Sequence, residues 1–306
     1  MIKNKILILG AGGFIGSHLC HELALKNHKV LAAGRHLKEL RNTTKDIVKI
    51  NNSIIDESFF YKIEQAPSHI FFLLGSASVN KSIASPISDF EQSLPPLLSL
   101  LEIMRKEWNK SHLIFVSSAA VYGENAKNGT SCYSDLKPIS PYGLNKKISE
   151  EYIQYYSNKY NISSKIVRPF SVYGPGLKKQ LIWDTLTKIK NNDHNYYGTG
   201  DELRDWVYIS DLINILIKYV DCYESMPNTL NIGSGIPTPI KDIIKIIYEI
   251  TETNITPNFL EREKEGDPLH LVSTYTEQKN IHEHLLTPIY EGLEKTINWY
   301  NKLEDI

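Results

Sequence analysis

Lys5-Ile6-Leu7-Ile8-Leu9 runs directly into Gly10-Ala11-Gly12-Gly13-Phe14-Ile15-Gly16, and the stretch from Ile15 to Lys26 then has helical spacing. A short, continuously apolar run of this kind is a strand buried on both faces of a parallel sheet. Glycine lets the chain turn tightly, approach a pyrophosphate closely and pack the next helix against the sheet. The helix N-terminus then offers free N–H groups and its positive dipole end to an anion. A glycine-rich turn alone is weak evidence. Its place between the first strand and first helix predicts a dinucleotide site on Gly10, Gly12, Gly13, Phe14, Ile15 and Gly16.

The alternation continues along the chain. Strands are expected at His28 to Ala33, Ile47 to Ile50, His69 to Leu74, Leu113 to Ser117 and Ser164 to Val167, with helices near Leu94 to Trp108 and Tyr142 to Tyr160. This pattern implies right-handed crossovers and an α/β fold, a Rossmann-type doubly wound parallel sheet. The dinucleotide-binding domain is expected over residues 1–170, with a return contribution from about 205–235. After Pro169 the chain is richer in Gly, Pro, Asn and Asp, with helices at Leu181 to Lys190, Asp211 to Val220 and Ile240 to Thr251. Residues 171–306 are therefore expected to form mainly a smaller C-terminal α/β substrate lobe.

Composition narrows the partners. The chain has 306 residues, 42% hydrophobic and 23% charged, enough for a sizeable core and unlike a disordered chain. Its net charge of −1 gives no reason to expect nucleic acid or an anionic membrane as a partner. Cys20, Cys132 and Cys222 lack paired spacing, and the ten histidines show no ligand motif, so neither a disulfide framework nor a metal site is expected. No apolar run is long enough to span a bilayer and no signal-peptide pattern opens the chain, so a cytoplasmic location is expected.

The second strand ends Ala32-Ala33-Gly34-Arg35. An NAD enzyme usually has Asp or Glu here to accept from the ribose 2′-OH. Arg35 instead suits the 2′-phosphate of NADP, because its planar fork pairs with phosphate oxygens. The alternative is a solvated Arg35 and NAD as cofactor.

The fifth strand leads into Ser117-Ser118-Ala119-Ala120-Val121-Tyr122-Gly123, and Ser140-Pro141-Tyr142-Gly143-Leu144-Asn145-Lys146 follows. On a helix Tyr142 and Lys146 share a face. A phenol with pKa near 10 is a poor base at neutral pH, and a nearby ammonium stabilises its phenolate. A serine hydroxyl at the strand end can hydrogen-bond the same substrate oxygen.

Glycine loop, Ser-rich strand end and Pro-Tyr-x-x-x-Lys, in that order, make the chain resemble the extended short-chain dehydrogenase/reductase family, which includes UDP-galactose 4-epimerase and other nucleotide-sugar enzymes. The resemblance continues through Arg168-Pro169-Phe170-Ser171-Val172-Tyr173-Gly174-Pro175-Gly176, Arg204-Asp205-Trp206-Val207-Tyr208, Leu230-Asn231-Ile232-Gly233 and Glu265-Gly266-Asp267. It implies a catalytic triad of Ser118, Tyr142 and Lys146, with Ser118 on the C4 oxygen, Tyr142 exchanging the proton, and Lys146 on the nicotinamide ribose. It places Ser53 and Gly75 with the cofactor, and Ser171, Arg204 and Lys264 with the substrate. Arg204 would meet the nucleotide diphosphate, or else form a structural pair with Asp205 or Asp211.

Three departures bear on the reaction. Dehydratases of this family carry Asp-Glu after the serine, where this chain has Ala119-Ala120, so 4,6-dehydration is not expected. Ser171 replaces the usual Asn, and Lys264 stands where Arg is common. The resemblance then implies an NADP(H)-dependent enzyme acting at sugar C4 on a nucleotide-diphosphate sugar. The first expectation, drawn from Arg35, is a 4-ketoreductase for an NDP-4-keto-6-deoxyhexose in polysaccharide synthesis. The alternative is a 4-epimerase, whose better-known members use NAD. A non-catalytic dinucleotide sensor is a third reading. A homodimer through the Leu94–Trp108 and Tyr142–Tyr160 helices is implied by the resemblance alone.

Overall fold

Ile6, Leu7, Ile8 and Leu9 are fully buried, and they fix β1 (Lys5–Leu9) in the interior of the largest sheet. The computed structural model describes residues 4–35, 37, 40, 46–52, 55–75, 78–124, 129–261, 266–274 and 287–304. Runs of similar character form β2 (Lys29–Gly34), β3 (Ile47–Asn51), β4 (His69–Phe72), β5 (His112–Val116) and β6 (Ser164–Pro169). Short pieces follow at β7 (Ser171–Tyr173), β8 (Asn195–Tyr196), β9 (Leu203–Arg204) and β10 (Trp206–Tyr208) before β11 (Thr229–Ile232). The order across the seven-stranded sheet is β11-β6-β5-β4-β1-β2-β3. Such an order is doubly wound, and ligands bind such sheets beyond the carboxyl ends of the strands, where the winding reverses. Here the reversal lies between β1 and β4, whose register pairs Leu9 with Phe72.

The helices of this part are α1 (Phe14–Leu25), α2 (Glu57–Tyr61), α3 (Val79–Ala84), α4 (Pro86–Lys106) and α5 (Pro141–Tyr160). α1 turns Leu19, Cys20, Leu23 and Ala24 inward. α2 and α3 are short helices that no sequence period announced. Each starts on a side-chain cap, Asp56 accepting from Phe59 N–H at 3.0 Å and Ser78 from Lys81 N–H at 3.3 Å.

α4 begins at Pro86, eight residues before the expected start near Leu94, and carries Pro95 and Pro96 inside it. A proline pair normally marks a helix start, since each removes a backbone donor. The helix persists through the pair because Leu94, Leu97, Leu100 and Leu101 are all buried. That burial outweighs two missing hydrogen bonds.

By contact density the chain divides into two compact units. The first is Met1–Val121, Leu136–Arg168 and Ile213–Leu230, and the second is Tyr122–Asp135, Pro169–Leu212 and Asn231–Ile306. The core of the first includes Leu7, Leu31, Phe60, Leu101, Trp108 and Phe115. The second carries α6 (Gln180–Lys190), the start of α7 (Ile209–Asp221), α8 (Ile240–Ile250), β12 (Thr238–Pro239), β13 (Asn258–Phe259), β14 (His270–Leu271) and α9 (Ile289–Glu304). A small core there joins Tyr196, Ile244 and Tyr248, with Phe259 packed against it. Among the described residues no helix is long and apolar enough to cross a membrane.

Candidate active site

The glycine loop turns back on its own sheet. Gly10 N–H and Ala11 N–H both donate to Ala33 C=O, at 2.9 and 3.1 Å, and Gly13 N–H donates to Gly10 C=O at 3.0 Å. Gly10 has φ +90°, and a Cβ on it would lie 2.9 Å from the Leu73 carbonyl, so only glycine fits. A Cβ on Gly16 would strike Gly10 C=O, so that glycine lets α1 descend onto the loop. α1 starts from Gly13 with no side-chain cap. Its first turn therefore presents backbone N–H groups beside partly exposed Gly12, Phe14 and Ile15, the arrangement that suits a pyrophosphate.

Arg35, just beyond β2, is exposed and donates from Nη2 to Gln92 Oε1 on α4 at 2.8 Å. Ser53 and Lys264 lie outside the described residues, as do His36, Lys38 and Arg41.

The N-terminus of α5 is built so that Tyr142 meets Ser118. Ser140 caps it, its Oγ accepting from Gly143 N–H at 3.2 Å, and Pro141 takes the first turn, where a missing donor costs nothing. Tyr142 N–H donates to Ser82 Oγ on α3 at 3.1 Å. Gly143 lies against Ala120 C=O so closely that a Cβ there would clash with it. The Tyr142 phenol faces the Ser118 side chain closely enough for that hydroxyl to act on its pKa, and Ser118 Oγ accepts from Ala120 N–H at 3.1 Å.

One turn on, Lys146 is buried. Its Nζ donates to Val116 C=O at 2.9 Å and to Leu74 C=O at 3.4 Å, and lies 4.8 Å from the centre of the Phe115 ring. Gly75, with φ +130°, leaves open the space beside it: a Cβ there would sit 3.2 Å from Ser93 Oγ and 3.9 Å from Lys146 Nζ. Burial brings the Lys146 pKa down to about 8 against the opposing pull of Asp89 and Glu150. Burial pushes the Tyr142 phenol up, the Ser118 hydroxyl pulls it down, and Asp89 pushes it up again.

Two buried carboxylates in this unit escaped the sequence reading. Glu150 accepts from Arg168 Nε at 3.0 Å, from Arg168 Nη2 at 2.6 Å and from Ser117 Oγ at 2.5 Å. It had a findable signal, since it falls four residues after Lys146 on the same helix face. Asp89 on α4 accepts from Asn145 Nδ2 at 2.6 Å. No sequence period pointed to it, because its partner comes from another helix.

Ser118, Tyr142, Lys146, Gly75 and the glycine loop thus form a connected set within the first unit. Ser171 and Arg204 belong to the second. Ser171 N–H donates to Asp205 C=O at 2.9 Å, which places it beside the Arg204-Asp205 pair. Arg204 is an ion-pair partner, though with neither of the aspartates expected. Its Nη2 donates to Asp267 at 3.0 Å and its Nη1 to Leu203 C=O and Leu269 C=O at 2.9 and 3.3 Å.

Asp205 cannot serve Arg204 because it is fully buried and already occupied. It accepts from Ser234 N–H and Oγ, Gly235 N–H, and Ser273 N–H and Oγ. Asp211 is likewise taken by Thr287, through N–H at 2.7 Å and Oγ1 at 3.0 Å. Among the described residues no group of three or more His, Cys, Asp or Glu could hold a metal ion.

Residues 6–233 match the family described as "NAD dependent epimerase/dehydratase family". The chain is 28% identical over 315 residues to the uncharacterized UDP-glucose epimerase YtcB of Bacillus subtilis, covering 98% of each. It superposes on UDP-glucose 4-epimerase of Thermotoga maritima, solved with UDP-glucose, at TM-score 0.88 and 27% identity over 98% of this chain and 99% of that one. It also superposes on UDP-glucuronic acid 4-epimerase of Bacillus cereus, solved with UDP-4-deoxy-4-fluoro-glucuronic acid and NAD, at TM-score 0.87 and 24% identity over 98% and 99%. These similarities favour the epimerase alternative over the 4-ketoreductase expected first, and they give no support to a preference for NADP. The chain belongs to the NAD dependent epimerase/dehydratase family.

Proposed function

We propose that this protein is a nucleotide-sugar 4-epimerase that uses NAD and acts on a UDP-sugar. The observation that carries the reading is the start of α5 packed against Ala120, which sets the Tyr142 phenol by the Ser118 side chain with buried Lys146 one turn along, bonded to Val116 C=O, beside Ala119 and Ala120. That set can move a proton on and off one sugar oxygen. It offers no second acid–base pair with which to eliminate water.

Similarity to the UDP-glucose 4-epimerase of Thermotoga maritima supports epimerisation, and membership of an NAD dependent family supports NAD. Arg35 had favoured NADP and a reductase. Its guanidinium is exposed and bonds the neutral side-chain amide of Gln92, which fits the solvated alternative that goes with NAD.

Gly10, Gly13 and Gly16, with the uncapped start of α1, fit the pyrophosphate of the dinucleotide, and Gly75 and Lys146 would flank its nicotinamide ribose. NAD bound there supplies the acceptor and then the donor of the C4 hydride. Ser118 Oγ holds the C4 oxygen. Tyr142 Oη takes the C4 hydroxyl proton, leaving a 4-keto sugar, and returns it when hydride comes back to the opposite face. Lys146 stabilises the phenolate while Tyr142 is ionised. Ser171 is assigned to the substrate and Arg204 to its nucleotide diphosphate, where a guanidinium already paired with Asp267 keeps further N–H donors for phosphate oxygens. A homodimer remains part of this reading, and a dimeric mass in solution checks it.

The cofactor that co-purifies tests the proposal. Tightly held NAD is expected, because an epimerase must keep its cofactor through the cycle. Protein that takes up NADPH but not NAD would contradict it.

A further inference from the structure

We propose that Asp89 is a positioning residue for the proton-transfer pair: its carboxylate, buried on α4 and held by the amide of Asn145, is the fixed negative neighbour that keeps Lys146 charged. The inference rests on the assignment of Tyr142 and Lys146 as the working pair. Asn145 directly precedes Lys146 and follows Tyr142 by three residues, and its Nδ2 meets Asp89 Oδ2 at 2.6 Å. Asp89 is 1% exposed, and its own C=O accepts from Ser93 Oγ at 2.7 Å, so the turn of α4 that carries it is tied down. Ser93 in turn lines the Gly75 corner beside Lys146 Nζ. The carboxylate is thus linked through Asn145 to the lysine's own helix, and its turn of α4 through Ser93 to the corner beside the ammonium.

Electrostatics point the same way. A buried ammonium bonded only to carbonyls loses much of its hydration, and desolvation drives it toward the neutral amine. Asp89 is the foremost opposing influence on Lys146, ahead of Glu150. Glu150 already shares its charge with Arg168, whose two nitrogens it accepts from. The same Asp89 charge opposes ionisation of Tyr142.

Other charged groups from the surrounding elements are further out or already paired. Lys81 on α3 and Glu91 on α4 are exposed, Lys147 and Glu151 pair on the outer face of α5 at 3.9 Å, and Arg35 bonds Gln92.

Competitive labelling of amines with trace acetic anhydride across pH, read by mass spectrometry on the Lys146 peptide, tests this without needing turnover. Asp89→Asn keeps shape and removes charge, and the labelling midpoint of Lys146 is expected to fall by about one pH unit. Asp89→Glu should restore most of the wild-type midpoint, and Glu91→Gln should leave it unmoved. If Asp89→Asn does not fold, Asn145→Leu releases the carboxylate from its place and should lower the midpoint by a smaller amount. An unmoved Lys146 midpoint in Asp89→Asn, or in Asn145→Leu where Asp89→Asn does not fold, overturns the proposal.

The alkaline limb of kcat is expected to move down with the amine in Asp89→Asn. A shifted midpoint in a protein with no epimerase activity would instead sink the functional reading and leave this one standing.

Discussion

Lys146 Nζ donates to the main-chain carbonyl of Val116 at 2.9 Å, which ties the second turn of α5 to the last residue of β5. Ser118 lies two residues past that carbonyl, and Tyr142 lies one helical turn before that lysine. The three groups are thereby referenced to the sheet itself. Preorganisation of this kind makes a hydroxyl, a phenol and an ammonium act at a single substrate atom.

Removing the phenolic hydroxyl should therefore remove proton transfer and little else. Tyr142→Phe is expected to lower kcat by about 10²–10⁴-fold. UDP-sugar affinity, measured calorimetrically, should change by less than about threefold, on the general rule that a group acting in the transition state affects kcat. Near wild-type turnover would show that another group moves the proton.

Gly143 lets α5 approach Ala120, and its Cβ would strike that carbonyl. Gly143→Ala must push the helix start away from Ser118. Overpacking of this kind costs about 1–3 kcal/mol in urea unfolding, and kcat should drop further than that loss of stability alone implies. Gly143→Ala with unaltered kcat would show that the close approach does not position Tyr142.

Glu150 and Arg168 are both almost fully buried, with side chains 1% and 4% exposed. Breaking such a pair from one side leaves an uncompensated charge. Glu150→Gln is expected to cost on the order of 3–5 kcal/mol in chemical denaturation. The double variant Glu150→Gln, Arg168→Met should recover a good part of that. If the double variant is as unstable as the sum of its single changes, the pair is not coupled as the geometry says.

At the opposite end of β4 and β5, the His69 ring lies 5.1 Å from that of His112, and Tyr223 meets His112 at 4.1 Å and His69 edge-on at 6.0 Å. Burial, then His112 and His28, bring the His69 pKa down to about 4 from 6.5. The unfolded chain takes up a proton on this ring as pH falls through about 6.5, while the folded one does so only near 4. Stability present above about pH 6.5 is therefore lost as pH falls toward 4, by on the order of 3 kcal/mol from this ring. The Tm of His69→Phe should fall less than that of wild type between about pH 7 and about pH 5. Parallel falls would place the acid sensitivity elsewhere.

The sheet was largely legible because strands buried on both faces are unbroken apolar runs, as in β1 and β5, and need no period to recognise. The helix that carries Tyr142 was legible from its proline start and its caps. α4 was misjudged at its beginning because Pro95 and Pro96 imitate a helix start, and only tertiary burial of its leucines reveals the first turns. The site divided along the same line. Tyr142 and Lys146 show as a pair four residues apart on one helix, and Ser118 joined them through the family resemblance. Asp89, Asp205 and the partner of Arg204 depend on residues distant in the chain, which local pattern does not register. Arg35 carried the NADP reading, and its hydrogen bond to Gln92, fifty-seven positions along, is likewise of that long-range kind.

The central claim is C4 epimerisation with a retained cofactor, and proton NMR of a UDP-sugar incubated with the enzyme tests it most directly. With UDP-glucose or UDP-glucuronic acid, no added reductant and repeated turnover, the account predicts appearance of the C4 epimer until an equilibrium mixture is reached. The absorbance of reduced nicotinamide should stay nearly flat throughout. Unchanged UDP-sugars, together with stoichiometric oxidation of NADPH by a nucleotide-linked 4-keto sugar, would contradict the account and restore the reductase.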